Sequence, residues 1–473
     1  MPSQVVGAES LNCSSVIPTP DSPLNAVLSR WSESHLSLPA IVITPKTEQD
    51  VVAAINLARK NNLKVIPTGG GHGTFVTIGP DSLVLDLKLF DSIQLDKTNG
   101  SVRVGGGVQT GDLLRSLAGE GYYTTVPNSN AVGVVGAIIG GGNTSQNGLH
   151  GFMVDNVVSF RVVTADGKVV EVHSSSSSSE EVALFDVLRG AGHGLAVVTS
   201  AVMTAYPIGS LGLSGDKLWT RTLIFPPPAI NDVANAFSSF KAPAEQLNIQ
   251  IVFFRAPPGT PKPGAPLIVL SASFYGPEPD AEKATSILFD EKLVHKAIKA
   301  DTALIPLANM NDDTEAQNAH GGYKNMSAAR LKSLQPESIV QIFGSWVTAT
   351  DEIQEAMKSV VIFHGFNPTK LQACGAEISG KGAFLECRDR GFSMFMSPWC
   401  MSSGSEAKFR VYVDEALSIV RQADGVRPRT MPNSMGIDDD LAILFDDERL
   451  SELARVKKVW DSEGVFWSPY ERK

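Results

Sequence analysis

The chain has 473 residues, of which 43% are hydrophobic and 19% charged, a balance typical of a folded globular protein and not of a disordered one. This length predicts two domains, because a single core rarely grows so large. The formal net charge of −10 argues against nucleic acid as a partner, since its phosphates would be repelled and no basic run offsets the charge locally.

Targeting, membrane and metal signals are weak throughout the chain. The N-terminus has no basic segment followed by an apolar one, which argues against a signal peptide. The most apolar stretch, residues 132–142, is too short and too rich in glycine to span a bilayer, which needs roughly 20 apolar residues. The four cysteines, Cys13, Cys374, Cys387 and Cys400, show no metal-binding spacing and predict reduced thiols. We therefore expect a cytoplasmic protein that binds neither a membrane nor a metal.

Strand and helix signals alternate from the N-terminal arm to about residue 207. Helices are predicted at residues 24–34, 48–61, 110–119 and 183–189, and strands at 41–43, 63–66, 83–87, 101–105, 157–164, 169–173 and 195–200. Thr47 is placed to cap the helix at 48–61. This alternation predicts a mixed α and β domain.

After residue 207 prolines separate the predicted elements. Strands are predicted at residues 249–254 and 267–274, and helices at 280–289, 351–364 and 446–458. This change in composition predicts a second domain, with the end of the chain returning to the first.

Three glycine-rich turns adjoin predicted strands, at residues 68–73, 133–142 and 190–194. Without a Cβ atom, glycine lets backbone N–H groups approach an anion closely. Three such turns within one region predict a bulky phosphorylated ligand that lies across several loops. A Rossmann site fits poorly, because the turn at 190–194 leads into a strand where that fingerprint requires a helix. The chain also lacks P-loop, nucleophile-elbow and zinc-protease motifs.

The order of several short motifs resembles the FAD-binding half of the vanillyl-alcohol-oxidase superfamily, and most closely its berberine-bridge-enzyme-like oxidases. These motifs are Pro-Thr-Gly-Gly-Gly-His-Gly at 67–73, the glycine segment at 133–142, Val-Asp-Asn-Val-Val at 154–158, Asp-Gly-Lys at 166–168 and Leu-Arg-Gly-Ala-Gly at 188–192. The resemblance extends over residues 38–207 and returns at 450–467. One motif alone would be weak, but their combination in this order is specific.

The resemblance implies an α+β fold. Its PCMH-type FAD-binding domain, built from two subdomains, would occupy residues 1–210 with a core at 38–207. A substrate domain at 211–427 would present an antiparallel sheet backed by helices. Residues 428–473 would return to the FAD-binding domain.

The resemblance also implies an FAD site, with His72 bonded covalently to the flavin 8α-carbon. An imidazole nitrogen is a competent nucleophile for that bond. The residues expected around the cofactor are Thr68, Gly69, Gly70, Gly71 and Gly73 at the pyrophosphate, Gly133, Val134, Gly140, Gly141, Asn143 and Gly148 at the flavin and ribityl chain, Val197 and Val198 at the adenine, and Asn433 at the ring.

Two positions depart from the family pattern. Ser129 stands at or near the position where many berberine-bridge-like proteins carry a second, cysteine tether to the flavin, so attachment through His72 alone is expected. Met431 replaces a tyrosine that often precedes the residue aligned with Asn433, which weakens any inference about catalysis in that corner.

The function implied is oxidation of a small organic molecule of the specialised-metabolism type. A hydride would pass to flavin N5 and O2 would reoxidise the flavin, giving H2O2. Candidate catalytic residues in the substrate domain are Tyr323, Glu386, Arg388 and Tyr412. Three alternatives stay open: a dehydrogenase that uses another electron acceptor, a flavoprotein that steers a redox-neutral cyclisation or isomerisation, and a binding protein without catalysis. Among the histidines, His150 and His193 are expected to be structural.

Overall fold

The first sheet carries the strand that delivers the chain into the first glycine turn. In this computed structural model, which describes residues 5–377 and 382–471, its strands are β1 (Ser14–Val16), β2 (Ile41–Thr44), β3 (Lys64–Thr68) and β4 (Ser82–Asp86). They lie in the order β1-β2-β4-β3, parallel except for β1. Helix α1 (Leu24–Val27) precedes β2, and helix α2 (Glu48–Asn61) joins β2 to β3. As predicted, Thr47 caps α2, and its hydroxyl accepts from the N–H of Asp50.

The second sheet is antiparallel and follows directly in the chain. Its elements are β5 (Ile93–Asp96), β6 (Ser101–Gly105), β8 (Val157–Val163), β9 (Val169–His173) and β10 (Val197–Thr204), in the order β5-β6-β10-β8-β9, while β7 (Tyr122–Tyr123) pairs with β11 (Tyr206–Pro207). The helices of this part are α3 (Thr110–Gly119), α4 (Val134–Ile139), α5 (Asn147–His150) and α6 (Ser179–Ala191).

A seven-stranded antiparallel sheet forms the second half of the molecule. Its strands, β12 (Lys217–Phe225), β13 (Leu247–Arg255), β14 (Pro266–Phe274), β15 (Lys299–Pro306), β17 (Ser327–Leu331), β18 (Val360–Gly365) and β19 (Phe392–Ser397), lie in the order β15-β12-β14-β13-β18-β19-β17, and β16 (Tyr323–Lys324) pairs separately with β20 (Trp399–Cys400). The helices are α7 (Ile230–Ser238), α8 (Glu278–Ala284), α9 (Glu291–Val294), α10 (Pro336–Glu352), α11 (Thr369–Glu377), α12 (Ser403–Asp424) and α13 (Asp447–Trp460).

The two faces of this sheet have different neighbours. On β18, Val361 and Phe363 are buried in a core that the sheet shares with α7, α10 and α12. Side chains alternate between the faces of a strand. Val360, Ile362 and His364 therefore lie on the opposite face, which we call the open face, and all three line a cavity. The expected α+β fold, with an antiparallel sheet backed by helices, is confirmed.

The end of the chain returns to the first half. Helix α13 lies against α6, where the indole N–H of Trp460 donates to the carbonyl of Glu180. Beyond it the backbone beside Phe466 runs parallel to β3 and exchanges hydrogen bonds with Val65. The boundaries near residues 210 and 427 stay predictions, supported by the change of sheet after β11 and by this return. In the described parts of the chain, no helix combines the length and apolarity needed to cross a bilayer.

Two predicted helices differ from the structure: the helix expected at residues 24–34 ends at Val27, and the one expected at 351–364 is wrong. Residues 351–364 carry no long helix: α10 ends at Glu352, and β18 takes up the later part of the segment. The run Val-Val-Ile-Phe within β18 is rich in β-branched and aromatic residues, which favour a strand on a half-buried sheet.

Candidate active site

A cavity of about 340 Å³ lies between the first two glycine-rich segments and the open face of the seven-stranded sheet. This volume is in the range of small-molecule sites. The residues lining it are Arg30, Pro67, Thr68, Gly69, Gly70, Gly71, His72, Gly73, Phe75, Val76, Pro127, Asn128, Ser129, Val132, Gly133, Gly136, Ala137, Ile139, Gly142, Asn143, His193, Met326, Val360, Ile362, His364, Phe395, Ser397, Asn433 and Ser434. Both halves of the molecule therefore build one site.

The two glycine segments touch each other backbone to backbone. A Cβ atom on Gly70 would lie 2.3 Å from the nitrogen of Gly133 and 2.8 Å from the carbonyl oxygen of Ala131. Conversely, a Cβ on Gly133 would lie 2.5 Å from the nitrogen of Gly70. Within the described residues, the backbone N–H groups of residues 69–73 donate no hydrogen bond. The turn thus offers unpaired donors to the cavity, as an anion-binding loop does.

Positive charge surrounds this turn. Arg30 lines the cavity and donates from Nη2 to the carbonyl of Gly73 at 2.6 Å, and its burial lowers its pKa to about 10. No carboxylate among the described residues pairs with it. Lys324 lies between the rings of Trp31 and Trp399, and burial first of all lowers its pKa to about 8. These cations favour an anionic ligand beside the turn.

His72 is held in place but not hydrogen-bonded through Nε2. Its ring stacks on Trp31, with centroids 5.3 Å apart and planes 14° from parallel. The Nε2 atom is buried and has no partner among the described residues. Burial, reinforced by His320, Arg30 and Lys324, lowers the pKa of His72 to about 3. The imidazole is therefore neutral at physiological pH, the state in which it can act as a nucleophile.

Comparisons with known proteins point to FAD as the ligand of this site. The FAD binding domain family matches residues 39–173. The FAD-linked oxidoreductase hasG of Aspergillus fumigatus is 28% identical, over 96% of this chain and 97% of its own. A similar FAD-linked oxidoreductase, OXR1 of Pyricularia oryzae, is 26% identical over 93% of this chain and 85% of its own. The chain contains an FAD binding domain and is similar over nearly its whole length to FAD-linked oxidoreductases.

Solved structures show the same fold. BBE-like 1 of Physcomitrella patens superposes with a TM-score of 0.79 at 18% identity, over 98% of this chain and 97% of its own. The 6-hydroxy-D-nicotine oxidase of Arthrobacter nicotinovorans gives a TM-score of 0.77 at 20% identity, with 99% of both chains aligned. The residues of this chain fit FAD, because the unpaired N–H groups, the unpaired cation of Arg30 and the unpartnered Nε2 of His72 all belong to residues that line one cavity.

Ten of the sixteen predicted cofactor residues line the cavity. They are Thr68, Gly69, Gly70, Gly71, His72, Gly73, Ser129, Gly133, Asn143 and Asn433. Ser129 donates to Asn318 Oδ1 at 2.6 Å, and Asn433 donates to the carbonyl of Ala137 at 2.6 Å. Their roles toward FAD stay predictions, and their common location supports them.

The other six predicted cofactor residues lie behind the cavity wall. Gly140 and Gly141 back onto Asn433 and Met431, and a Cβ on Gly148 would lie 2.3 Å from the carbonyl oxygen of Glu245. Val134, Val197 and Val198 are buried in the cores around α4 and β10. Any contact of these residues with FAD stays a prediction.

The four predicted catalytic residues do not belong to the described cavity lining. Tyr323 lies on β16 against the core shared with the helices, and Glu386 faces Arg449 at 3.4 Å. The Arg388 guanidinium binds both carboxylate oxygens of Asp155, at 2.9 and 2.6 Å. The Tyr412 hydroxyl, on α12, donates to Glu352 at 2.6 Å. Because these side chains are engaged elsewhere, the geometry directs the search for a base to other residues.

Two histidines that line the cavity were not predicted to belong to the site. His193, expected to be structural, lines the cavity and makes a 2.9 Å hydrogen bond through Nε2 with Asn433 Oδ1. His364 lines it from β18, and its ring has no hydrogen-bond partner among the described residues. Burial, together with Arg330, lowers the pKa of His364 to about 4. His150, in contrast, stacks on Tyr206 outside the cavity lining.

Acidification should weaken this fold through its buried histidines. Burial lowers the pKa of His150, His193 and His364 to about 4 each, against an ordinary value of 6.5. The unfolded chain therefore binds protons that the folded chain excludes, so stability is full above pH 6.5 and falls as the pH drops towards 4. Between about pH 7.5 and about pH 5.5 each histidine should remove about 1 kcal/mol. Urea unfolding at both pH values measures this loss.

The variant His364→Phe provides the matched control, because this ring makes no hydrogen bond that the substitution would break. Its unfolding free energy should fall by about 1 kcal/mol less than that of the wild type over the same pH interval. An identical loss in both proteins would mean that His364 is protonated normally in the folded state.

Proposed function

We propose that this FAD-linked oxidoreductase oxidises a small organic substrate and passes the electrons to O2. The observation that carries the proposal is the shared cavity, in which the glycine turns and His72 oppose the open face of the sheet. A substrate on that face would lie against the flavin. Neighbours of the same fold include enzymes named as oxidases, such as the xylooligosaccharide oxidase of Myceliophthora thermophila.

FAD, when bound, accepts a hydride at N5, and O2 then takes up both electrons and becomes H2O2. In this proposal the glycine turn and Arg30 hold the pyrophosphate, and His72 anchors the flavin covalently. A glucooligosaccharide oxidase of Acremonium strictum, of the same fold, carries 6-S-cysteinyl, 8α-N1-histidyl FAD. Ser129 cannot supply a thiolate, so a single bond through His72 is proposed.

His364 is the residue we propose as proton acceptor. A general base must reach the substrate and must be unprotonated. His364 meets both conditions, since its ring faces the cavity, has no hydrogen-bond partner among the described residues and stays neutral above about pH 4. His193 is a weaker candidate because Asn433 already occupies its Nε2.

The wall formed by the sheet favours a largely apolar substrate. Val360, Ile362, Phe395 and Met326 present aliphatic and aromatic surface to the cavity. Together with the FAD-linked oxidoreductases of A. fumigatus and P. oryzae, this surface supports a ring compound of specialised metabolism. We also propose a cytoplasmic location, supported by the four scattered cysteines, whose spacing fits neither a disulfide framework nor a metal site.

Oxygen uptake and anaerobic flavin bleaching together test this proposal. Alcohol, phenol and polyketide-like compounds would be screened with the purified holoenzyme. We expect at least one to bleach the flavin without air and, in air, to consume about one O2 and form about one H2O2 per product. Bleaching without oxygen uptake would identify a dehydrogenase. Product formation without bleaching would instead support the redox-neutral flavoprotein.

A further inference from the structure

Three side chains on the open face form a polar row beside the cavity. Arg330 on β17 is paired with Ser393 on β19, and Ser393 is paired with His364 on β18. Opposed residues of antiparallel strands share a face, with Cβ atoms about 5 Å apart. We call these three residues the Arg330 row. Apolar Ile362 and Phe395 lie next to it on the same face.

The Arg330 row carries hydrogen-bonding groups without partners. Arg330 is 2% exposed, and no carboxylate among the described residues pairs with it. Its Nη1 atom and the Ser393 hydroxyl are both buried without a hydrogen-bond partner in the described structure. Leaving a buried charge or donor unsatisfied destabilises a fold, so such groups are normally paired. Two adjacent residues with buried unpartnered donors, beside the unpaired ring of His364, indicate that a ligand completes them.

The remaining contacts of Arg330 fix its guanidinium beside the cavity. Nη2 donates to Asn143 Oδ1 and also contacts the sulfur of Met431, while the backbone N–H donates to the carbonyl of Arg429 at 2.8 Å. The ring of Phe152 lies 5.2 Å from the guanidinium carbon. Arg330 and Ser393 are not among the residues that line the cavity, but they lie directly behind its wall: Arg330 donates to the wall residue Asn143, and Ser393 is the strand partner of the wall residue His364.

We propose that the Arg330 row binds an anionic oxygen of the substrate, either a carboxylate or an ionised acidic hydroxyl. The inference rests on the proposed function, which places the substrate in this cavity. A guanidinium and a hydroxyl both donate, so the ligand atom must accept, and a buried unpaired cation selects an anion over a neutral acceptor. The substrate is thus an apolar ring compound with one acidic oxygen at the end that meets β17 to β19.

Calorimetry with matched probes tests this site without turnover. The purified holoenzyme would be titrated with benzoate and with benzamide, which have nearly the same shape but differ in charge. We expect benzoate to bind at least about tenfold more tightly, because the neutral amide accepts a hydrogen bond but has no charge to pair with the guanidinium. In a parallel titration 4-nitrophenol should bind as its coloured phenolate at a pH where the free phenol is protonated. If the protein prefers benzoate but does not bind 4-nitrophenol as its anion, the bound group is a carboxylate. If only 4-nitrophenol binds as its anion, the bound group is an acidic hydroxyl.

Variants then assign the effect to the row. Arg330→Gln, which can still donate to Asn143, should abolish the preference for benzoate, and Ser393→Ala should weaken benzoate binding without removing the charge. Arg221→Gln is the control: Arg221 is also buried in this sheet, but its Nε and Nη1 donate to Leu288 and Thr302. It should bind benzoate like the wild type.

Equal binding of benzoate and benzamide by the wild type, with no phenolate shift, would overturn the inference even if Arg330→Gln failed to fold. An unchanged preference in a folded Arg330→Gln protein would also overturn it. Because heat of binding does not depend on oxidation, a protein that binds benzoate but oxidises no screened compound would contradict only the proposed function.

Discussion

Replacing His72 with alanine is expected to convert a permanently yellow protein into one that releases its flavin on acid denaturation. In the wild type the imidazole is neutral, stacks on Trp31 and lines the cavity, and we propose that it forms the 8α bond. Alanine removes the nucleophile but leaves the unpaired N–H groups of the turn, so FAD should still bind reversibly. Because a histidyl bond favours the reduced flavin, we expect kcat to fall by about tenfold, about 1.4 kcal/mol of barrier.

Mass analysis of the peptide containing residue 72 tests whether FAD is bonded covalently to His72. The wild-type peptide should carry the added mass of FAD, and the alanine variant should leave free FAD in the supernatant. His173→Ala, on the hairpin of β8 and β9, is the control and should keep the attached flavin. If the wild type itself released FAD, His72 would become a residue of the pyrophosphate loop, while the family would be unaffected.

The glycine-rich loops could be predicted because the residues that define each loop are neighbours in the sequence. Residues 68–73 begin at the last residue of β3, whose apolar pattern predicts a strand. All six of them line the cavity. The requirement for glycine at position 70 comes from a backbone contact with Gly133. A close backbone contact of this kind requires glycine, so the sequence indicates it even when the partner segment is distant in the chain.

The substrate side was not predictable in the same way. His364 falls in the segment at 351–364, where we predicted a helix, and pairing with β13 and β19 places its side chain on the open face. Arg30 and Trp31 reach the site from the N-terminal arm, with no motif around them. A single charged or polar residue acquires its role from the face on which the sheet places it, which tertiary pairing decides.

The same distinction explains why the four catalytic candidates lie outside the cavity lining. The segment that carries Glu386 and Arg388 forms a loop, and β19 begins only at Phe392. Arg388 is consequently directed to Asp155. The polar residues that do lie on the site face of β19 are Ser393, in the Arg330 row, and Ser397, in the cavity lining.

Gly70→Ala is expected to cause a large loss of stability and of bound FAD. The added methyl would lie 2.3 Å from the Gly133 nitrogen and 2.8 Å from the Ala131 carbonyl oxygen, far inside contact distance. Both obstructing atoms belong to the backbone, so no side chain can rotate away. The two glycine segments must separate, and we expect a cost of about 3 kcal/mol together with loss of bound FAD.

Gly119→Ala separates this effect from the general consequence of adding a methyl group. Gly119 ends α3, and its new Cβ would meet no described atom within 4 Å. Alanine loses less backbone entropy than glycine in a helix, so this control should keep its flavin and gain up to about 1 kcal/mol. Thermal melting and the ratio of flavin to protein absorbance measure both variants. A Gly70→Ala protein with wild-type melting and full flavin would show that the two segments are not held in backbone contact, and the cavity between them would then lack its rigid wall.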